Sequence, residues 1–180
     1  GEFQQMQIAN KPETNIKNYL EVIGKKTAEL FGASCKSGVI VSGGNAEQQN
    51  AAYDYGFNLG LAFQIVDDLM DFNNLPNKMG KNLGDDFKLG KTTLPVILAW
   101  QKSNPKEKQF WIKTLKELNQ EPDDFNYAID IFNKYNIFNE CKKKTEEFIS
   151  VSIKCLEKLP DTEIKKHLIG LANESVERSK

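Results

Sequence analysis

Phe63-Gln64-Ile65-Val66-Asp67-Asp68-Leu69-Met70-Asp71 lies inside a proline-free, strongly apolar run from about Asn45 to Phe72. On a helix, residues three and four apart share a face. Gln64, Asp67, Asp68 and Asp71 then form one polar stripe at i, i+3, i+4 and i+7. Phe63, Ile65, Val66, Leu69, Met70 and Phe72 cover the other sides, which is the pattern of a buried helix. A buried, unpaired carboxylate costs several kcal/mol, and like charges one turn apart repel. The stripe therefore demands a cationic partner. Hard oxygens spread too widely for a closed cage suit Mg²⁺ that keeps waters and shares a phosphate-bearing ligand. The bland reading is an exposed acidic patch, but the apolar residues leave no other wide solvated face. A calcium loop is excluded. Counted from Asp71, it lacks the glycine at the sixth position and the glutamate at the twelfth.

A chain of 180 residues holds one domain with a real core. Lys+Arg number 24 against 25 for Asp+Glu, so no global charge points to nucleic acid or a membrane surface. Cys35, Cys141 and Cys155 are odd in number and form no C-x-x-C, which reads as reduced thiols in a reducing intracellular compartment, cytoplasm or organelle. The single histidine, His167, is far along the chain from the acidic stripe, which argues against a histidine zinc site or a Ser-His triad. No apolar run reaches transmembrane length and no signal peptide is visible, although the sequence begins at Gly1 without Met.

From Thr14 the pattern is helical. Ile16, Tyr19, Leu20, Ile23, Thr27, Leu30 and Phe31 form an apolar stripe on which Thr27 is the polar exception. Taken alone, Thr27 is expected to bond its own i−4 carbonyl and Lys26 to be solvated. Ser42-Gly43-Gly44 ends that helix, and Asn45 with Gln48 predicts a capping-box start to the next. Gly56 and Gly60 predict close approach of another helix. Phe72 to Gly90 reads as a loop, punctuated by Pro76, Gly80, Gly84 and Gly90. Its Lys78, Lys81 and Lys88, with Lys91 just after it, suit closure over a metal-bound anion, and equally an ordinary solvated loop. Gly90-Lys91-Thr92 fails as a P-loop tail, because the spacing from Gly84 is one residue too long and no strand precedes it. Pro95 is tolerated in the first turn of a helix opening at Thr93. Helices are expected over about 105–118, 123–135, 138–157 and 162–178, the last with Ile164, His167, Leu168, Leu171 and Val176 on its apolar side. No strand shows clean alternation, so the fold class is all-α.

These motifs together resemble the C-terminal part of a trans-isoprenyl diphosphate synthase, the polyprenyl synthetase family, on its long-chain side. Phe63 to Asp71 resembles the family's second aspartate-rich motif with its preceding Phe-Gln. Lys26-Thr27-Ala28 is similar to its Lys-Thr motif. Gly80-Lys81, Asp86 and Gly90-Lys91-Thr92-Thr93-Leu94-Pro95 resemble its lysine loop. Gly1-Glu2 with Gln5 is similar to a short upstream signature, and Val176 to Lys180 to the family's basic C-terminus. The resemblance implies an all-α isoprenoid synthase fold around a central cavity, in which Mg²⁺ holds an allylic diphosphate. It implies ionisation of that diphosphate, attack by isopentenyl diphosphate and proton loss, repeated to lengthen a polyprenyl chain. It assigns Asp67, Asp68 and Asp71 to the metal, Asp68 and Asp71 directly or through water. Lys26, Thr27, Gln64, Lys81 and Lys91 fall to catalysis, and Lys26, Phe63, Gln64, Lys81, Lys91 and Arg178 to substrate binding. A homo-oligomer, such as a dimer, or a heteromer is implied, with no nucleic acid.

The first aspartate-rich motif, its arginines and the upstream residues that bind isopentenyl diphosphate have no counterpart here. Asp85-Asp86 and Asp123-Asp124 lack a third carboxylate at the right spacing. Residues 1–180 are therefore expected to be the C-terminal portion of one polyprenyl synthetase domain, without its N-terminal half and inactive alone. A non-catalytic subunit of a heteromeric synthase is the alternative, against which the intact lysines and aspartates argue. A plain helical interaction domain explains neither the buried carboxylates nor the lysine loop. A terpene cyclase would show an Asn/Asp-Ser/Thr-Glu metal motif, and none is present.

Overall fold

The computed structural model describes residues 1–72 and 83–177, with side chains through residue 175. Helix is the only regular structure among the described residues, as the sequence predicts. In chain order the helices are α1 (Glu2–Ile8), α2 (Ile16–Ile23), α3 (Glu29–Val41), α4 (Ala46–Met70), α5 (Asp85–Lys88), α6 (Leu94–Lys102), α7 (Pro105–Trp111), α8 (Asp124–Lys134), α9 (Ile137–Cys155) and α10 (Glu163–Glu177). Two of them were not foreseen: α1 in the polar-mixed opening, and the single turn α5 inside the stretch read as loop. The chain divides into two units, one of Ile23–Val66 and residues 142–177 with Gly1, the other of Glu2–Val22 and Asp67–Cys141.

In the first unit, α4 begins with the expected reciprocal cap. The Asn45 N–H donates to Gln48 Oε1 at 3.0 Å, and the Gln48 N–H to Asn45 Oδ1 at 2.9 Å. Tyr55, Leu59 and Ala62 of α4 pack with Ile149, Leu156 and Ala172 to form the core. Tyr55 is fixed at both ends. Its hydroxyl donates to the Leu168 carbonyl at 2.8 Å, and its own carbonyl accepts from Ser152 Oγ at 2.9 Å. Gly56 and Gly60 press α4 against α3 and the turn before it. A methyl group would sit 2.5 Å from the Phe31 carbonyl oxygen at the first, and 2.6 Å from the Ala28 Cα at the second. The expected apolar side of α10 is corrected. Ile164 and Leu171 are exposed, and Leu168, Ile169 and Ala172 face the core instead. Two apolar faces overlapped in that sequence, and packing selected the one around Ala172.

Between α2 and α3 the backbone widens into one π turn, Gly24–Ala28, in which the Glu29 N–H reaches back to the Gly24 carbonyl. The extra residue shifts the phase of the helix. Tyr19 and Ile23 are buried as expected, but Ala28 and Gly32 take the next inward positions and Leu30 is turned out, 71% exposed. The stripe predicted through Leu30 therefore stops at Ile23.

The second unit is built on stacked aromatics. Phe72 meets Phe132 edge-on at 5.0 Å, Trp111 lies over Phe132 at 5.8 Å, and Phe87 meets Phe125 at 5.7 Å. The buried Trp111 donates from Nε1 to Ser103 Oγ at 2.9 Å. Glu107 closes a capping box at the start of α7 and receives Lys134 Nζ at 2.7 Å and the Tyr135 hydroxyl at 2.9 Å. Gly90, with φ of 64°, passes so close to Asn10 and Leu118 that no side chain fits, and its carbonyl accepts the Asn10 N–H at 2.9 Å.

Gly56→Ala and Gly60→Ala are each expected to destabilise the chain by about 1–3 kcal/mol, since the obstructing atoms are backbone. Gly38→Ala, where nothing lies within 4 Å, is expected to be neutral or to stabilise by up to about 1 kcal/mol. Denaturant melts of the three variants decide this. Equal effects at all three positions would contradict the close approach.

Candidate functional site

The stripe on α4 is buried, as its apolar surroundings predict. Gln64, Asp68 and Asp71 are 5%, 4% and 7% exposed, and Asp67 is half-buried. An exposed acidic patch is ruled out by those values. Asp71 falls one residue past the end of α4.

In the first unit, the π turn carries Lys25, Lys26 and Thr27. Thr27 does not bond its own i−4 carbonyl. Its hydroxyl donates across to Gln64 Oε1 at 2.7 Å. A π turn leaves groups outside the ordinary ladder, and such turns recur at functional sites. The correction is informative, because the Lys-Thr pair and the Gln of the aspartate-rich stretch are joined directly. Phe63 is half-buried and its ring lies 5.4 Å from that of Phe31. Lys26 is half-buried as well, rather than solvated.

In the second unit, each buried aspartate meets a donor. The Tyr19 hydroxyl donates to Asp68 Oδ2 at 2.7 Å. Burial first, then the Asp68 charge, hold the Tyr19 phenol well above its usual pKa, so it remains a donor. Asp71 Oδ2 accepts the Asp86 backbone N–H at 3.1 Å, and its carbonyl accepts the Gly84 N–H at 2.9 Å. Lys91 Nζ forms an ion pair with Asp86 Oδ1, and the Lys91 N–H closes onto the Asp86 carbonyl at 2.9 Å. A chain of contacts thus runs from Asp71 through Asp86 to Lys91, held by the short helix α5. Tyr19 was read from the sequence only as part of an apolar stripe. A buried phenol has to find a partner, and that was the available signal. Lys81 and Arg178 lie outside the described residues, as does Lys78.

Burial raises the Asp71 carboxyl from 3.8 to about 6, opposed by N–H donors from Asp86 and Phe87. Among the described residues, no group of three or more acidic, histidine or cysteine side chains converges tightly enough to cage a metal ion. Buried hard-oxygen donors that do not converge fit a cation that keeps waters and shares an anionic ligand. Folding disfavours the ionised form of a carboxyl whose pKa rises above its unfolded value. In chelator-containing buffer, Asp71→Asn is therefore expected to stabilise the chain at about pH 8 by about 1 kcal/mol, allowing for solvent screening. The gain should fade as pH falls through about 6 and vanish near about 4. Urea midpoints at the two extremes test this, and an equal shift at both would contradict it.

The polyprenyl synthetase family model matches residues 1–132. The octaprenyl diphosphate synthase of Escherichia coli (strain K12) is 36% identical over 180 residues, covering 100% of this chain and 55% of that protein. A crystal structure of a decaprenyl diphosphate synthase from Rhodobacter capsulatus superposes with a TM-score of 0.93 at 36% identity, over 99% of this chain and 55% of that one. A polyprenyl synthase from Caulobacter crescentus CB15, complexed with calcium and isoprenyl diphosphate, gives 0.94 at 33% identity, again over 99% and 55%. The chain spans about half the length of the relatives it matches. Its fold is the helical isoprenoid synthase fold of these neighbours. The chain belongs to the polyprenyl synthetase family.

Proposed function

We propose that this chain is the metal-binding portion of a prenyltransferase that condenses isopentenyl diphosphate with an allylic diphosphate to make longer polyprenyl diphosphates. The observation that carries this reading is the burial of Gln64, Asp68 and Asp71 on one helical stripe, where anionic oxygen has no use in a core unless a cation joins it. Its 180 residues are read as part of one polyprenyl synthetase domain.

Asp67, Asp68 and Asp71 would hold Mg²⁺, which supplies positive charge to the departing diphosphate. Lys26, Lys81 and Lys91 bind and orient the diphosphate. Lys91 does so while keeping Asp86 as its counter-ion, so the ammonium is held in place before substrate arrives. Thr27 orients the Gln64 amide by donating to its oxygen. Both side chains then present dipoles to an allylic cation, and neither is a strong nucleophile that would trap it. Phe63 supplies apolar contact and Arg178 an anion contact. The free thiols Cys35, Cys141 and Cys155 accord with a reducing intracellular compartment. Among the described residues, no helix is long and apolar enough to cross a membrane. The active assembly is read as a homo-oligomer or heteromer.

Titration calorimetry of the chain with isoprenyl diphosphate is expected to show binding with Mg²⁺ and to lose at least about tenfold in affinity in Asp67→Ala. Binding indifferent to Mg²⁺ would overturn the reading. With labelled isopentenyl diphosphate and a short allylic diphosphate, the chain alone is expected to give no product above a protein-free control. It carries one aspartate-rich stripe where charge on the leaving group calls for more.

A further inference from the structure

Two buried tyrosines sit in this chain with opposite kinds of partner. Tyr55 satisfies its hydroxyl with a neutral acceptor, the Leu168 carbonyl. Tyr19, 2% exposed on α2, gives its proton instead to a carboxylate of the acidic stripe, Asp68 Oδ2, across 49 residues of sequence. A phenol that needed only satisfaction would be served by a carbonyl, at no cost in buried charge. Beside Asp68 lies Cys141, fully buried and held as a neutral thiol.

We propose that Tyr19 is a positioning residue for the divalent cation. By holding Oδ2, it fixes the rotation of the Asp68 carboxylate and limits that residue to one oxygen as a ligand. This rests on the reading of Asp67, Asp68 and Asp71 as the cation-holding set. Asp71 is held in the parallel way by a backbone N–H, so two of the three carboxylates are oriented before any metal arrives. Outer donors that fix the orientation of ligating side chains typically govern metal affinity by ten- to a hundredfold. Tyr19→Phe keeps the ring and its packing and removes only the donor.

The test is Mn²⁺ binding by the 180-residue chain with inorganic diphosphate, followed by electron paramagnetic resonance, with melting temperature measured on the same samples. Tyr19→Phe is expected to weaken Mn²⁺ binding by about tenfold with little change in melting temperature. A purely structural tyrosine would lower the melting temperature and leave the affinity of the folded fraction unchanged. Affinity within about twofold of wild type, while Asp67→Ala abolishes binding, would overturn the role of Tyr19 and leave the metal reading standing. No binding by the wild type beyond that of Mn²⁺ with diphosphate alone would remove the metal reading, and this role with it. Should Tyr19→Phe fail to fold, the unmutated chain gives the answer. Mg²⁺ with diphosphate is expected to perturb the tyrosine ultraviolet difference spectrum, as the acceptor of the Tyr19 hydroxyl gains a cation. A flat spectrum would overturn the role.

Discussion

The burial of carboxylates on α4 is the constraint around which the neighbouring chemistry is arranged. Asp68 and Asp71 sit where water is scarce, and an ionised group there is costly unless something polar turns toward it. The fold answers with a phenol for Asp68 and a backbone N–H from the short helix α5 for Asp71. Neither donor carries charge. They orient the oxygens without neutralising them, which keeps the stripe open to a cation. A lysine in either position would have satisfied the carboxylate and closed it to metal.

Asp86 and Lys91 apply the same economy to the other sign. The lysine has its counter-ion already, through a residue whose backbone also touches Asp71. An arriving diphosphate then exchanges one anionic partner for another at Lys91, rather than ordering a free side chain, and the entropy of fixing that ammonium has been met in folding.

What the sequence revealed were features whose cause is local. The i, i+3, i+4, i+7 spacing of Gln64, Asp67, Asp68 and Asp71 needs only the helical repeat, and the Asn45–Gln48 cap needs only four residues. Gly56 and Gly60, one turn apart, signalled contact with another helix. What stayed hidden depends on distant partners or on phase. Tyr19 and Asp68 are far apart along the chain, and only packing brings the phenol to the carboxylate. Thr27 had an equally good local acceptor, and the choice of Gln64 follows from how α4 lies beside the π turn. The face of α10 was decided by Ala172, a residue too small to stand out in a hydrophobic pattern.

The π turn at Gly24–Ala28 also sets a rule for how this chain can vary in length. One residue in an α-helix corresponds to about 100° of rotation. Deleting any single residue from that turn would restore an unbroken α-helix from Ile16 to Val41 and swing everything after it by that angle. Leu30 would come inward, Gly32 would leave the surface of Tyr53, and the hydroxyl now pointed at Gln64 would face elsewhere. Substitutions within the turn leave the phase alone, whereas a one-codon deletion does not. The segment is thus forgiving of changes in letter and intolerant of changes in count.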